Sequence, residues 1–171
     1  MKRIVIIALF FAVLIPALAG SSPFTSEAIQ KVVLSDKEVP DGFIFGKIPP
    51  FAQKVLKGNP WMMDEKAIKK LADRIYPGGD ARKISKMHVT IMANSNKPYG
   101  DDIVCYVILF RDLASAKEEL EKMNKFAGYN RDRVILLTKE NLAVFMFVDS
   151  IDNYHYLKMI SDSMQERLKS L

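Results

Sequence analysis

The chain has 171 residues, 49% hydrophobic and 26% charged, with 25 basic against 20 acidic side chains and a net charge of +5. A length of this order holds one domain and buries enough apolar surface for an ordinary core. The small charge excess lacks the dense basic face of a nucleic-acid binder, and a single cysteine, Cys105, rules out a disulfide within the chain.

The first nineteen residues predict an export signal. Met1-Lys2-Arg3 precedes an unbroken apolar run from Ile4 to Ile15, Pro16 ends any helix, and Ala17-Leu18-Ala19 supplies the small residues a signal peptidase reads. Cleavage is expected after Ala19. The apolar run of twelve is short of the ~20 residues that cross a bilayer, and Gly20-Ser21-Ser22 offers no cysteine for a lipid anchor. The expected mature chain is one domain, 20–171, extracytoplasmic (periplasmic or secreted), with no stable membrane span after cleavage. Losing Lys2 and Arg3 takes its net charge to +3.

Thr25 is placed to cap a short helix over Ser26 to Lys31. Ser35 to Gly42 is turn chemistry, and Phe43-Ile44-Phe45 reads as a short edge strand. Pro49-Pro50 is expected to open a second short helix, with Phe51, Val55 and Leu56 at helical spacing and Gly58 as its stop. Asn59-Pro60-Trp61 is a turn into a longer helix beginning at Met63 or Asp64. Its buried stripe is Ala67, Ile68, Leu71, Ala72 and Ile75. Lys66, Lys69 and Lys70 alternate with Asp64, Glu65 and Asp73 as a solvated face, and Pro77-Gly78-Gly79-Asp80 ends the helix.

From His88 to Met92 the period changes to two. Val89 and Ile91 face one way, and His88, Thr90 and Met92 the other. Asn94 to Asp102 reads as a flexible connection. Ile103 to Phe110 is apolar on both faces, which predicts a central strand holding Cys105 as a buried thiol. Ser115 and Glu118 fit a capping box for a helix running to about Ala127 and stopped by Gly128. It is expected to bury Ala116, Leu120, Met123 and Phe126 or Ala127. Val134–Leu137 and Leu142–Val148 form a hairpin around Thr138–Asn141, and Ser150 or Asp152 caps a last helix with the stripe Leu157, Ile160, Met164, Leu168 and Leu171.

Residues 84–127 and 130–170 thus read as two successive β-β-α units. The predicted class is α+β, a mainly antiparallel sheet of about four strands with additional N-terminal helices. It closes as two layers or as a three-layer α-β-α sandwich.

No G-x-S-x-G, P-loop, H-E-x-x-H or C-x-x-C occurs, and no cofactor is implied. Asp80, Asp101 and Asp102 read as solvated turn residues, and His88 and His155 are too few for a structural zinc. The contacts expected for a ligand or partner are Trp61 and Tyr76 at the two ends of one helix, Arg82 after the glycine turn, and His88 beside Thr90. The expected function is an exported non-enzymatic binding domain for an envelope or extracellular protein or a small ligand. The alternatives are a small extracytoplasmic enzyme pairing His88 with Asp101 or Asp102, and an accessory subunit of an envelope complex.

Overall fold

The computed structural model describes residues 23–97 and 101–171. The expected export signal over 1–19 lies outside the described residues, as does part of the connection expected over 94–102.

The fold is mixed, an open antiparallel sheet of six strands with flanking helices. Helix α1 is Ser26–Val32, strand β1 is Phe43–Phe45 and strand β2 is Trp61–Met62. Helix α2 covers Glu65–Ile75, strand β3 Ile84–Asn94, strand β4 Ile103–Phe110 and helix α3 Leu113–Tyr129. Strands β5, Val134–Lys139, and β6, Leu142–Val148, form a hairpin, and helix α4 is Tyr154–Ser170. The strand order is β1-β3-β4-β6-β5, with β2 also paired to β3. Two short pieces share one edge: β1, the edge strand expected at Phe43–Phe45, and β2, which was not expected. β1 pairs with Met92–Asn94 and β2 with His88–Val89.

Alternation along the strands sends side chains to two separate apolar clusters. One holds Met87, Val89, Ile91, Val104, Ile108, Phe110, Ala143 and Phe145 under the buried residues of α2 and α3. The other holds Met92, Ile103, Cys105, Val107, Leu109, Leu142, Val144, Met146 and Val148 under α1 and α4. With its side chains shared between two apolar clusters, β4 has no polar side. Cys105 is buried against Met164, with its sulfur 3.8 Å from the Met164 sulfur, and burial raises the thiol pKa. Among the described residues no helix is long and apolar enough to cross a membrane.

Several local expectations are corrected. Residues 50–55 form turns rather than a helix, and Phe51 is 54% exposed while Ala52 and Leu56 are buried. A few residues between Pro50 and Gly58 cannot offset the cost of helix nucleation. Helix α3 starts earlier than the Ser115 box implies, because Asp112 caps it by accepting the Ser115 amide at 2.6 Å. Gly128 does not stop it. The helix continues to Tyr129, and the Asn130 side chain donates to the Phe126 carbonyl at 2.8 Å. On its inner face Glu119 is buried and Leu120 only partly so. Ser150 caps a 3₁₀ turn over Ile151–Asn153, and α4 begins after it without a side-chain cap. The β5–β6 turn is only Glu140-Asn141, with Lys139 opposite Leu142.

Candidate functional site

The side chains of β4 and β6 that face α2 and α3 include a run of aromatics. Tyr106 lies opposite Phe145, and Val104 opposite Phe147, so period two brings three rings onto one patch of the sheet. Tyr106 stacks on Phe147 with centroids 6.2 Å apart and planes 24° apart. Phe145 is 6.4 Å from Phe147, and Phe126 of α3 stands 6.1 Å from Phe145. Between Arg74 and Ile75 of α2 and Phe126 of α3 this floor is open as a cleft of about 240 Å³. Arg74 and Ile75 line it from α2, Phe126 from α3, and Asn130, Arg133 and Asp149 from the adjoining loops.

The polar groups of the cleft are underused. Among the described residues the Tyr106 hydroxyl makes no hydrogen bond, and burial first, then the neighbouring Cys105, pushes its pKa to about 12. It is therefore a neutral phenol with a proton to donate. Among the described residues Arg74 forms no ion pair. Arg133 reaches Asp132 at 3.6 Å, beyond hydrogen-bond distance. Burial raises the Asp149 carboxyl, against the lowering effect of the Asp102 backbone; the charge of Asp101 adds to the rise and that of Arg133 opposes it.

A buried carboxylate sets the spacing of the two walls. Glu119 of α3 is fully enclosed and accepts from the Tyr76 hydroxyl at 2.8 Å, the Asp80 amide at 3.0 Å and Lys122 at 2.6 Å. Lys122 also donates to the Gly78 carbonyl at 2.8 Å. The turn after α2 is thereby fastened to α3. Gly79 is required in that turn, since a Cβ there would lie 2.4 Å from the Ala72 carbonyl oxygen.

The four residues expected from sequence do not form one site. Tyr76 is buried, its hydroxyl committed to Glu119, and burial followed by that carboxylate raises its pKa. Trp61 pairs with Val89 and packs into the cluster beneath α2 and α3. His88 points to the opposite face, between Met62 and Val107 on the neighbouring strands, and is 8% exposed. Its Nδ1 has no partner among the described residues, and burial lowers its pKa. Arg82 is exposed and grips Asp80 through Nε at 3.0 Å and Nη2 at 2.8 Å. It lines a separate cleft of about 300 Å³ with Lys69 and Arg111.

The carboxylates weighed with His88 lie elsewhere. Asp102 accepts the Asn94 amide at 2.9 Å, and Asn94 is six residues beyond His88 on β3, roughly 20 Å along an extended strand. Asp101 is paired with Lys97. Among the described residues no three His, Cys, Asp or Glu side chains are arranged to hold a metal.

Tyr106, Phe145 and Phe147 were within reach of the sequence as alternate residues of two adjacent strands. Tyr106 is also the only polar-tipped ring in an otherwise apolar β4. Arg74 and Arg133 carried no such mark. No protein-family model, no curated protein and no solved structure matches this chain.

Proposed function

We propose that the protein is an exported, non-enzymatic binding domain that works in the cell envelope or outside the cell and takes a small ligand between α2 and α3. Export rests on the charged start, apolar run and Ala17-Leu18-Ala19 of the first nineteen residues. Binding rests on one observation, an aromatic-floored cleft whose phenol and Arg74 guanidinium have no partners among the described residues. Ligand sites have this composition, an apolar lining with a few convergent polar groups. We read the architecture behind it as a three-layer α-β-α sandwich grown from two β-β-α units, β3-β4-α3 and β5-β6-α4. The separate apolar clusters on the two sheet faces support that reading.

An enzyme built on His88 with Asp101 or Asp102 is disfavoured by the strand length between His88 and Asp102. An accessory-subunit role draws support from exposed Met159 on α4, which borders a groove of about 410 Å³ with Tyr156, Val39 and Pro40.

Amide NMR of the mature domain, titrated with a library of aromatic fragments, tests the binding reading. Saturable shifts should cluster at Tyr106, Phe145 and Phe147. Shifts confined to the groove beside Met159, or none at all, would overturn it. N-terminal sequencing of exported protein should return Gly20, and a Met1 start would refute cleavage.

A further inference from the structure

We infer that the cleft between α2 and α3 selects a ligand carrying a single carboxylate on a flat aromatic ring system. This rests on the reading of that cleft as the ligand site and gives the ligand its chemistry.

The floor sets the shape. Tyr106 and Phe147 lie within 24° of parallel, and Phe145 continues the same patch. A planar ring gains most from such a surface, because offset-stacked and edge-on aromatic contacts add to the area it buries. A space of about 240 Å³ is of a size for one or two fused rings.

The rim sets the charge. Arg74 and Arg133 both line this opening, and a guanidinium fork matches the two oxygens of a carboxylate. The Tyr106 hydroxyl supplies a third, neutral donor. A purely apolar ligand would cover these donors without partnering them, which costs free energy. Asp149 stands on the same rim and limits the number of charges. Among the lining residues two cations face one carboxylate, and Asp132, outside the lining, pairs with Arg133 at 3.6 Å, so the excess is at most one positive charge, which suits a monoanion. A phosphate dianion would instead face Asp149 with charge left over.

Three fluorescent probes test this on the mature chain: 2-naphthoate, the neutral 2-naphthylmethanol and the dianionic 2-naphthyl phosphate. Naphthoate should bind saturably and most tightly of the three. Arg74→Gln and Arg133→Gln should each weaken naphthoate by roughly tenfold, the loss of one charge-assisted hydrogen bond, and leave naphthylmethanol unchanged. Arg74 is exposed and Arg133 half-buried, and thermal melts of the two variants check that they fold. Tyr106→Phe should weaken naphthoate by a smaller factor. Equal affinity for naphthoate and naphthylmethanol, insensitive to the arginine variants, would overturn the charge selection and leave the cleft reading standing. Tighter binding of naphthyl phosphate would overturn the single charge. If none of the three binds, both the inference and the cleft reading fall.

Discussion

His88 is a base held where it cannot easily take a proton. Met62 and Val107 flank it, its Nδ1 has no partner among the described residues, and burial lowers its pKa. A free histidine titrates near ~6.5. In the unfolded chain His88 therefore protonates first as pH falls, and the unfolded state gains protons that the folded state refuses. Its contribution to stability is complete above the unfolded pKa and is lost as pH falls through the folded one. Asp102 and Asp149, whose carboxyl pKa values burial raises, act with the opposite sign. Protonating them favours the folded state, and they do so from a lower ordinary value. We expect the urea midpoint to fall between about pH 7 and about pH 5, and His88→Leu to flatten that fall. An identical fall in both proteins would place its source elsewhere.

At the scale of elements, the outer edge of β3 is assembled from pieces. β1 covers Met92–Asn94 and β2 covers His88–Val89, which leaves Thr90 and Ile91 between them. The Asn59 side chain fills that gap. Its oxygen accepts the Ile91 amide at 2.7 Å and its nitrogen donates to the Ile91 carbonyl at 2.7 Å and to the Lys47 carbonyl at 2.8 Å. One side-chain amide thus stands in for a strand residue. Asn59→Ala should strip both partners from Ile91 and cost about 2–4 kcal/mol in chemical denaturation, one to two unmade hydrogen bonds. Asn59→Asp should recover only part of this, because a carboxylate accepts from the amide but cannot donate to the carbonyl. A loss below about 0.5 kcal/mol would mean that water replaces the amide. The sequence announced Asn59 only as a turn residue, since its role depends on where two distant strands end. Long stripes were more legible. Those of α2 and α4 repeat over about two and three turns and survive a local error. The segment after Pro50 has the spacing without the length, and the cap of α3 fell on Asp112, three residues before the Ser115 of the expected box.

At the scale of the molecule, the sheet is a partition between two cores, and each depends on its own helices. Beneath α2 and α3 lies the cleft, whose residues come from α2, β4, the end of α3 and the β5–β6 hairpin. Its rings were legible as alternate strand residues, but their assembly into one site was not, because the register between β4 and β6 creates it and no spacing within one segment encodes such a register. The opposite core was readable, and α4 is its lid. Leu157, Ile160, Met164 and Leu168 are all buried there against Cys105, Val107, Val144 and Met146. Arg167 ties α4 to the N-terminal segment, donating to the Val33 carbonyl at 2.8 Å and pairing with Glu38. Removing 153–171 would therefore uncover the part of this sheet face that α1 does not cover and take away the contacts α1 makes with α4. Each buried Leu, Ile or Met replaced by Ala costs about 2–5 kcal/mol, and a domain holds only about 5–15 kcal/mol in total. Losing four such residues together exceeds what the remaining core supplies. We expect the truncated chain to show no cooperative melt by circular dichroism and to aggregate through its exposed strands. If it melted cooperatively near the full-length temperature, α4 would be an appendage and its apolar stripe a surface for a partner, which would put the accessory-subunit reading ahead of the ligand binder.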